Sequence, residues 1–172
     1  DVEITNGTYT ITTGDDGVHA DQNLVLSSGN MNITQSYEGL EAMNITISGG
    51  EITLTSSDDG FNAAGGNDSS GFSGPRGGGD QFASGSNCVI TISGGIININ
   101  AEGDGIDSNG NLTITGGETY VCGPSNSGNG ALDYGGTATI SGGTLVAVGA
   151  SGMALGMSDS STQGSMLVNL SA

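Results

Sequence analysis

The sequence predicts an all-β fold, a parallel β-helix of about six rungs with three short strands in each rung. Three observations support this prediction: glycine motifs recur about every 22 residues, apolar residues alternate with polar ones between the motifs, and no segment has helical spacing. The composition agrees, because only 4% of the 172 residues are aromatic and 34 are glycine. A solenoid needs few large apolar side chains, since each repeat fills one thin layer of the core.

Two glycine motifs define the length of the repeat. An acidic residue precedes Gly17, Gly39, Gly60 and Gly105, and the intervals between these glycines are 22, 21 and 45 residues. The second motif, ISGG or ITGG, also has one interval of 45 residues in the same part of the chain. One rung is therefore about 23 residues too long, which predicts a glycine-rich insertion at residues 64–86 within a single domain of residues 1–172.

Each rung contains three short runs in which apolar and polar residues alternate. In one rung these runs cover residues 44–48, 51–56 and 60–63. The Ile and Leu side chains of the first two runs share one face and the Thr and Ser side chains the other, so we expect the former to be buried. Equivalent positions of successive rungs are expected to stack about 4.8 Å apart. After the last full rung, residues 165–171 are predicted to form a degenerate final strand.

Alignment of the rungs on the glycine of the acidic motif places acidic side chains in columns. The residue after that glycine is apolar in each rung, as at Leu40 and Phe61, and we expect it to point into the core. The acids on either side of it are therefore expected on the outer surface, at one corner of the helix. The columns contain Asp16, Glu38, Asp59 and Asp104 before the glycine, His19, Glu41, Asn62, Asp107 and Asp133 two residues after it, and Asp15 and Asp58 in a partial third column.

Such columns of carboxylates indicate bound calcium. Neighbouring carboxylates about 5 Å apart repel each other by roughly 3 kcal/mol at an effective dielectric constant of about 20. Calcium relieves this repulsion, since Ca–O distances of about 2.3–2.6 Å place two oxygens roughly 5 Å apart across one ion. The oxygen-rich donor set also favours calcium over zinc or copper. The alternative, that Asp-Asp-Gly is an ordinary turn, does not explain Glu38 and Glu41. His19 is expected to be a solvated or hydrogen-bonded residue rather than a metal ligand.

The charge balance excludes several classes of partner. Eighteen acidic residues face one arginine, Arg76, and no lysine, which gives a net charge of −17. Such a chain cannot neutralise phosphates, so nucleic acid is excluded, and an anionic membrane surface is not expected as a partner. No stretch is apolar for long enough to span a bilayer. Cys88 and Cys122 align to different columns and are expected to be free thiols.

The motifs DDGFN at residues 58–62 and GDGID at residues 103–107 resemble those of the pectate lyases of polysaccharide lyase family 9. They are more similar still to the related bacterial carbohydrate-binding domains, which are right-handed β-helices that carry several calcium ions. The resemblance covers nearly the whole chain and implies a secreted or cell-surface bacterial protein that binds polygalacturonate and cellulose. It implies the calcium ligands Asp16, Glu38, Glu41, Asp58, Asp59, Asn62, Asp104 and Asp107, with Asp15 and Asp133 as additional candidates.

The resemblance implies a non-catalytic module that binds acidic plant cell-wall polysaccharide, such as pectin, with the help of calcium. A lyase of family 9 is expected to use a lysine base, and the chain has none, so no catalytic residue is predicted. Arg76 lies in a glycine-rich loop that is too flexible to position a base, and His19 has no evident orienting partner. Candidate ligand-binding residues are Tyr134 and, in an insertion that is either a flap over the ligand or a loop without function, Phe72, Arg76 and Phe82.

The sequence leaves two other classes of function open. One is a lyase-like enzyme that cleaves the polysaccharide by β-elimination. The other is an ice-binding or adhesin solenoid, because outward Thr and Ser residues recur in a ladder, as at Thr46 and Ser48. Ordinary solvent-facing strand residues explain that ladder equally well.

Overall fold

The computed structural model describes residues 1–64 and 87–170, and it confirms the predicted all-β parallel β-helix of about six turns. The strand pairings in this part of the chain are parallel. No helix of the described residues is long and apolar enough to cross a membrane. The strands are β1 (Val2–Ile4), β2 (Thr8–Thr12), β3 (Val18–Leu26), β4 (Asn30–Gln35), β5 (Leu40–Ser56), β6 (Phe61–Ala63), β7 (Val89–Ala101), β8 (Ile106–Ser108), β9 (Asn111–Ile114), β10 (Glu118–Cys122), β11 (Leu132–Tyr134), β12 (Ala138–Ile140) and β13 (Thr144–Val148).

The strands stack rung upon rung and form three faces around the core. β3, β5 and β7 contribute to more than one face, because each continues around a corner of the helix. The runs predicted at residues 44–48 and 51–56 are thus parts of one continuous strand, β5. The first face contains β1, β9, β12 and residues 23–26, 44–47 and 89–92; the second contains β2, β4, β10, β13 and residues 51–56 and 96–101; the third contains β6, β8, β11 and residues 18–20 and 40–42.

The core consists of aliphatic side chains at alternate strand positions. On the first face Ile45, Ile90 and Leu112 follow one another in register, and each is fully buried. Full burial of one such side chain stabilises the fold by about 1.5–3 kcal/mol. Cys88 is buried and Cys122 is exposed, and both are free thiols as predicted. The outward positions between the buried ones also stack, and they form a ladder of Thr46, Thr91, Thr113 and Thr139.

The corner between the first and second faces carries the ISGG and ITGG motifs and is here called the glycine corner. Both glycines of the motif are dictated by the backbone, for different reasons. A Cβ atom on the first, as at Gly49, would collide with the carbonyl oxygen of Ser27 in the preceding rung. The second has a positive φ between 81° and 92°, which favours glycine, at Gly50, Gly95, Gly117 and Gly143.

The C-terminal end of the helix differs from the prediction. Residues 165–170 form no strand, and residue 171 lies outside the described residues. Met166 and Leu170 are 85% and 87% exposed, although they occupy positions that a strand would bury. Ser158 and Thr162 instead donate backbone hydrogen bonds to the carbonyls of β12, at 2.7 and 3.1 Å. The alternating pattern alone does not show which segment pairs with the last rung. The strand predicted from it is therefore wrong.

Candidate functional site

The corner between the second and third faces carries the acidic motif and is here called the acidic corner. The amide of Gly60 donates to the carbonyl of Asp104 at 2.9 Å, and equivalent bonds link the other rungs, so the residues before the glycine form one column. Strand pairing places Asn62 between Glu41 and Asp107 in the second column. The structure thus contains both columns that the alignment predicts.

The expectation that the acidic corner projects to the outer surface is wrong for much of it. The reason is that its side chains turn along the helix axis toward the neighbouring rung. Oδ1 of Asp59, for example, accepts a hydrogen bond of 2.6 Å from the amide of Asp104 in the next rung. Five of the side chains are 0–7% exposed: Glu38, Glu41, Asp59, Asn62 and Asp107.

The glycine of the acidic motif is dictated by packing, whereas the acid beside it is not. A Cβ atom on Gly39 would collide with the carbonyl oxygen of Gly60 in the next rung and with the side chain of Leu54. The acid does have a local role, since Oδ1 of Asp104 accepts a hydrogen bond of 2.5 Å from the amide of Gly130. An asparagine side chain could accept the same bond, so the recurrence of a charged group needs a further cause.

Three carboxylates from two neighbouring rungs converge at the acidic corner and are here called the carboxylate cluster: Asp59, Asp104 and Asp107. One oxygen of each lies within 4.8 Å of the others. Burial, followed by the negative charges of Asp58, Asp107 and Asp104, raises the pKa of Asp59 to about 10. At neutral pH the metal-free cluster therefore retains a proton, and a cation that binds there would replace it.

Asn62 adds a further oxygen beside this cluster. Its Nδ2 donates a hydrogen bond of 2.8 Å to Oε1 of Glu38, while its fully buried Oδ1 accepts none. A buried acceptor without a partner costs about 1–3 kcal/mol, so it needs an explanation. Calcium takes amide and carboxylate oxygens as ligands. The donor atoms in this part of the corner therefore fit calcium.

A second group of potential ligands lies at the N-terminal end of the acidic corner and is here called the mixed cluster: Asp16, His19 and Glu41. One ligand atom of each also lies within 4.8 Å of the others. Nδ1 of His19 contacts Oε2 of Glu41 and lies 3.5 Å from Oδ2 of Asp16. This contact agrees with the expectation that His19 is solvated or hydrogen-bonded, and it shows that the view that His19 has no orienting partner is wrong. The signal was present in the sequence, because His19 and Glu41 occupy the same column. The expectation that His19 is not a ligand stays a prediction.

A family model described as carbohydrate-binding domain-containing protein matches residues 1–74. The match covers 74 of the 172 residues. It includes the whole mixed cluster and, from the carboxylate cluster, Asp59. Comparison with curated proteins and with solved structures gives no match.

Five of the predicted calcium ligands lie outside both clusters. Two of them, Glu38 and Asn62, are buried and hydrogen-bonded to each other. Within the matched region, Asp15 is exposed and Asp58 is half-buried. Beyond it, Asp133 is half-buried, and its Oδ1 accepts a hydrogen bond of 2.7 Å from the amide of Tyr134. Tyr37 was not predicted as part of the site, but it stacks between Asp15 and Asp58. Alignment of the position two residues before the glycine would have identified it. A hydrogen bond to Asp58, together with burial, raises the pKa of Tyr37 above its usual range.

Of the predicted ligand-binding residues, Tyr134 lies in the described part of the chain. Tyr134 follows Ser108 in the inward column of the third face, packs against the core and donates a hydrogen bond of 2.5 Å to the carbonyl of Gly156. Phe72, Arg76 and Phe82 lie outside the described residues, so their role remains a prediction.

Proposed function

We propose that the protein is a non-catalytic module that binds acidic polysaccharide of the polygalacturonate class in a calcium-dependent manner. The family match over residues 1–74 supports a carbohydrate ligand. One observation supports the calcium: the convergence of three carboxylates within 4.8 Å, beside a buried amide oxygen that accepts no hydrogen bond. We propose that Asp59, Asp104, Asp107 and Asn62 hold the ion, and that Glu38 positions Asn62 through its amide group.

The net charge of −17 explains why binding would depend on calcium. At physiological ionic strength, charges act over about 8 Å, so a polyuronate that reaches the acidic corner is repelled by it. Bound calcium would neutralise part of the corner and supply a positive centre that attracts a uronate carboxylate. Asp15 is exposed and Asp58 and Asp104 are half-buried, so these residues form the edge over which a ligand would approach.

The described tyrosines favour an acidic ligand over a neutral, crystalline one such as cellulose. Binding to a crystalline surface usually requires a planar strip of aromatic rings. Tyr9 stacks on the buried Met31 at the N-terminal end of the helix, whereas Tyr120 projects from the second face. Tyr37 lies at the acidic corner and Tyr134 packs against the core. These four side chains point in different directions and form no common surface.

The available bases favour a binding role over catalysis. The chain has no lysine, the base that a lyase of family 9 is expected to use. His19 is the one histidine of the chain, and its Nδ1 contacts a buried carboxylate. We therefore expect no rise in unsaturated-uronate absorbance when the protein is incubated with polygalacturonate and calcium at alkaline pH. A steady rise would identify a lyase and overturn the non-catalytic assignment.

Retention on immobilised polygalacturonate tests the proposed function. The protein should be retained in calcium and released by EDTA, and fully methyl-esterified pectin should retain it weakly in both. Asp104→Asn keeps the acceptor for the Gly130 amide but removes a charge, so it should abolish retention. The exposed Asp159→Asn is the matched control and should leave retention unchanged. Unchanged retention in EDTA would contradict calcium dependence, and a melting curve in each buffer shows whether release reflects unfolding.

A further inference from the structure

The mixed cluster occupies the same two columns as the carboxylate cluster but contains a different donor. In the carboxylate cluster every donor is an oxygen. In the mixed cluster, the residue two positions after the glycine is His19, which contributes an imidazole nitrogen. We propose that Asp16, His19 and Glu41 form a separate metal site that binds a transition-metal ion such as Zn²⁺. Asp16 and Glu41, predicted as calcium ligands, would then serve a different ion. This proposal does not depend on the proposed polysaccharide binding.

The geometry brings three donors of the mixed cluster together from two rungs. Asp16 and His19 flank Gly17 in the first rung, and Glu41 pairs with His19 from the next rung. Nδ1 of His19 faces both carboxylates, since it contacts Oε2 of Glu41 and lies 3.5 Å from Oδ2 of Asp16. One nitrogen and two oxygens are thus close enough to share one ion. Nε2 of His19 points elsewhere and lies 3.5 Å from Oδ1 of Asp21.

The chemistry of these donors distinguishes the two clusters. Imidazole suits zinc, copper, iron and nickel, whereas calcium prefers oxygen donors only. A site with one imidazole and two carboxylates supplies three protein ligands to zinc and leaves a position for water, as open zinc sites do. The replacement of one oxygen donor by nitrogen therefore changes the expected ion, although the backbone is the same.

The burial of the donors also suits a bound ion. The side chains of Glu41 and Asp16 are 1% and 9% exposed, whereas His19 is 39% exposed. The two carboxylates are thus withdrawn from water, and the half-exposed imidazole leaves a path for an ion to enter. Asn62 follows Glu41 in the same column and separates it from Asp107 of the carboxylate cluster.

The competing interpretation is a histidine that contacts two carboxylates without any metal. Nuclear magnetic resonance separates the two, because an untagged protein has one histidine and therefore one set of imidazole signals. With ¹⁵N-labelled metal-free protein, one equivalent of Zn²⁺ should shift the Nδ1 resonance, and excess Ca²⁺ should not. The proposal would be overturned if Zn²⁺ did not shift the Nδ1 resonance, or if Zn²⁺ and Ca²⁺ shifted it equally.

Variants of His19 extend the test with Co²⁺ as a visible probe. The unmodified protein should bind one Co²⁺ in the presence of excess calcium and develop absorption bands in the visible range. His19→Ala should weaken Co²⁺ binding at least about tenfold. His19→Asp would make the donors all oxygen, so it should lose Co²⁺ selectivity and gain a calcium site.

The variant experiment can contradict the proposed transition-metal site in two ways. Equal Co²⁺ affinity in the unmodified protein and in His19→Ala would contradict the proposal, as would displacement of Co²⁺ by an equimolar amount of calcium. Asp104→Asn, in the carboxylate cluster, should leave Co²⁺ binding unchanged. Retention of His19→Ala on polygalacturonate should also be unchanged, so failure of this proposal is distinguishable from failure of the proposed function.

Discussion

The acidic corner and the glycine corner are built in the same way but repeat different side chains. At each, a glycine lies against the backbone of a neighbouring rung, as Gly60 does against the carbonyl of Gly105 and Gly94 against that of Ser48. At the glycine corner the residue before the two glycines is a neutral Ser or Thr, as at Ser93 and Thr115. At the acidic corner the residue before the glycine is an acid in four rungs.

This difference shows that backbone packing accounts for the glycines of each repeat but not for its acids. Both corners need glycine because a Cβ atom would not fit, so the recurrence of glycine follows from the fold. The glycine corner stacks equally well without charges, so the fold does not require the acids. A stack of buried carboxylates is unfavourable unless protons or cations neutralise it. This contrast supports the proposal that the acids of the acidic corner hold a bound ion.

Gly50→Ala has the largest expected effect and tests whether the glycine corner requires glycine for steric reasons. Gly50 has a φ of 86°, and a Cβ atom there would lie 2.9 Å from the carbonyl oxygen of Gly29 and from Leu26. The left-handed backbone and the contacts together should lower the free energy of unfolding by about 2–4 kcal/mol. Urea unfolding should show the same loss in calcium and in EDTA.

Gly14→Ala is the matched control for this prediction. A Cβ atom on Gly14 meets no atom within 4 Å, so the change should stay within about 0.5 kcal/mol. A loss in Gly50→Ala that depends on calcium would show that the two corners are not independent. Equal losses in the two variants would contradict the steric role of Gly50.

Asp59→Asn tests whether the buried charge at the acidic corner holds calcium. Its effect on stability should be smaller and should depend on calcium. Calcium at 100 times its dissociation constant should stabilise the unmodified protein by about 2.7 kcal/mol. The substituted side chain keeps an acceptor for the amide of Asp104 but lacks the buried charge, so the variant should lose most of this gain. In EDTA it should be at least as stable as the unmodified protein. Thermal melts with and without calcium measure both effects, and a variant equally stabilised by calcium would refute the role of Asp59.

The change in stability per pH unit of the metal-free protein should be the smallest effect. Because the pKa of Asp59 is raised to about 10 in the folded state from 3.8, the folded state holds a proton that the unfolded chain has lost between these values. Stability in EDTA should therefore fall as pH rises within this window, by up to about 1.4 kcal/mol between pH 6 and pH 7. Calcium should remove this dependence by replacing the proton. A flat profile in EDTA, identical to that of Asp59→Asn, would contradict the raised pKa.

Much of the fold was predictable because a solenoid repeats its sequence at the period of its structure. The intervals between motif glycines set the rung length, and alternation identified buried residues such as Ile45 and Leu112. Local alternation could not show whether residues 165–170 have a rung to pair with. The strand predicted there is wrong for that reason.

The candidate site was predictable in its register but not in its environment. Stacked rungs align equivalent positions, so the columns that contain Asp59 and Asp107 followed from the sequence. Their burial did not, because it depends on side chains that turn toward the next rung, as the bond from the Asp104 amide to Asp59 shows. The division into two clusters required the contact between His19 and Glu41. An alignment shows that these residues share a column, but not that their side chains meet.

Calorimetric titration of metal-free protein with calcium tests the central claim most directly. We predict that the unmodified protein binds calcium, that Asp107→Asn binds it at least about tenfold more weakly, and that the exposed Glu3→Gln binds it normally. The absence of calcium binding, or equal affinity in Asp107→Asn, would contradict the proposal that the carboxylate cluster binds calcium.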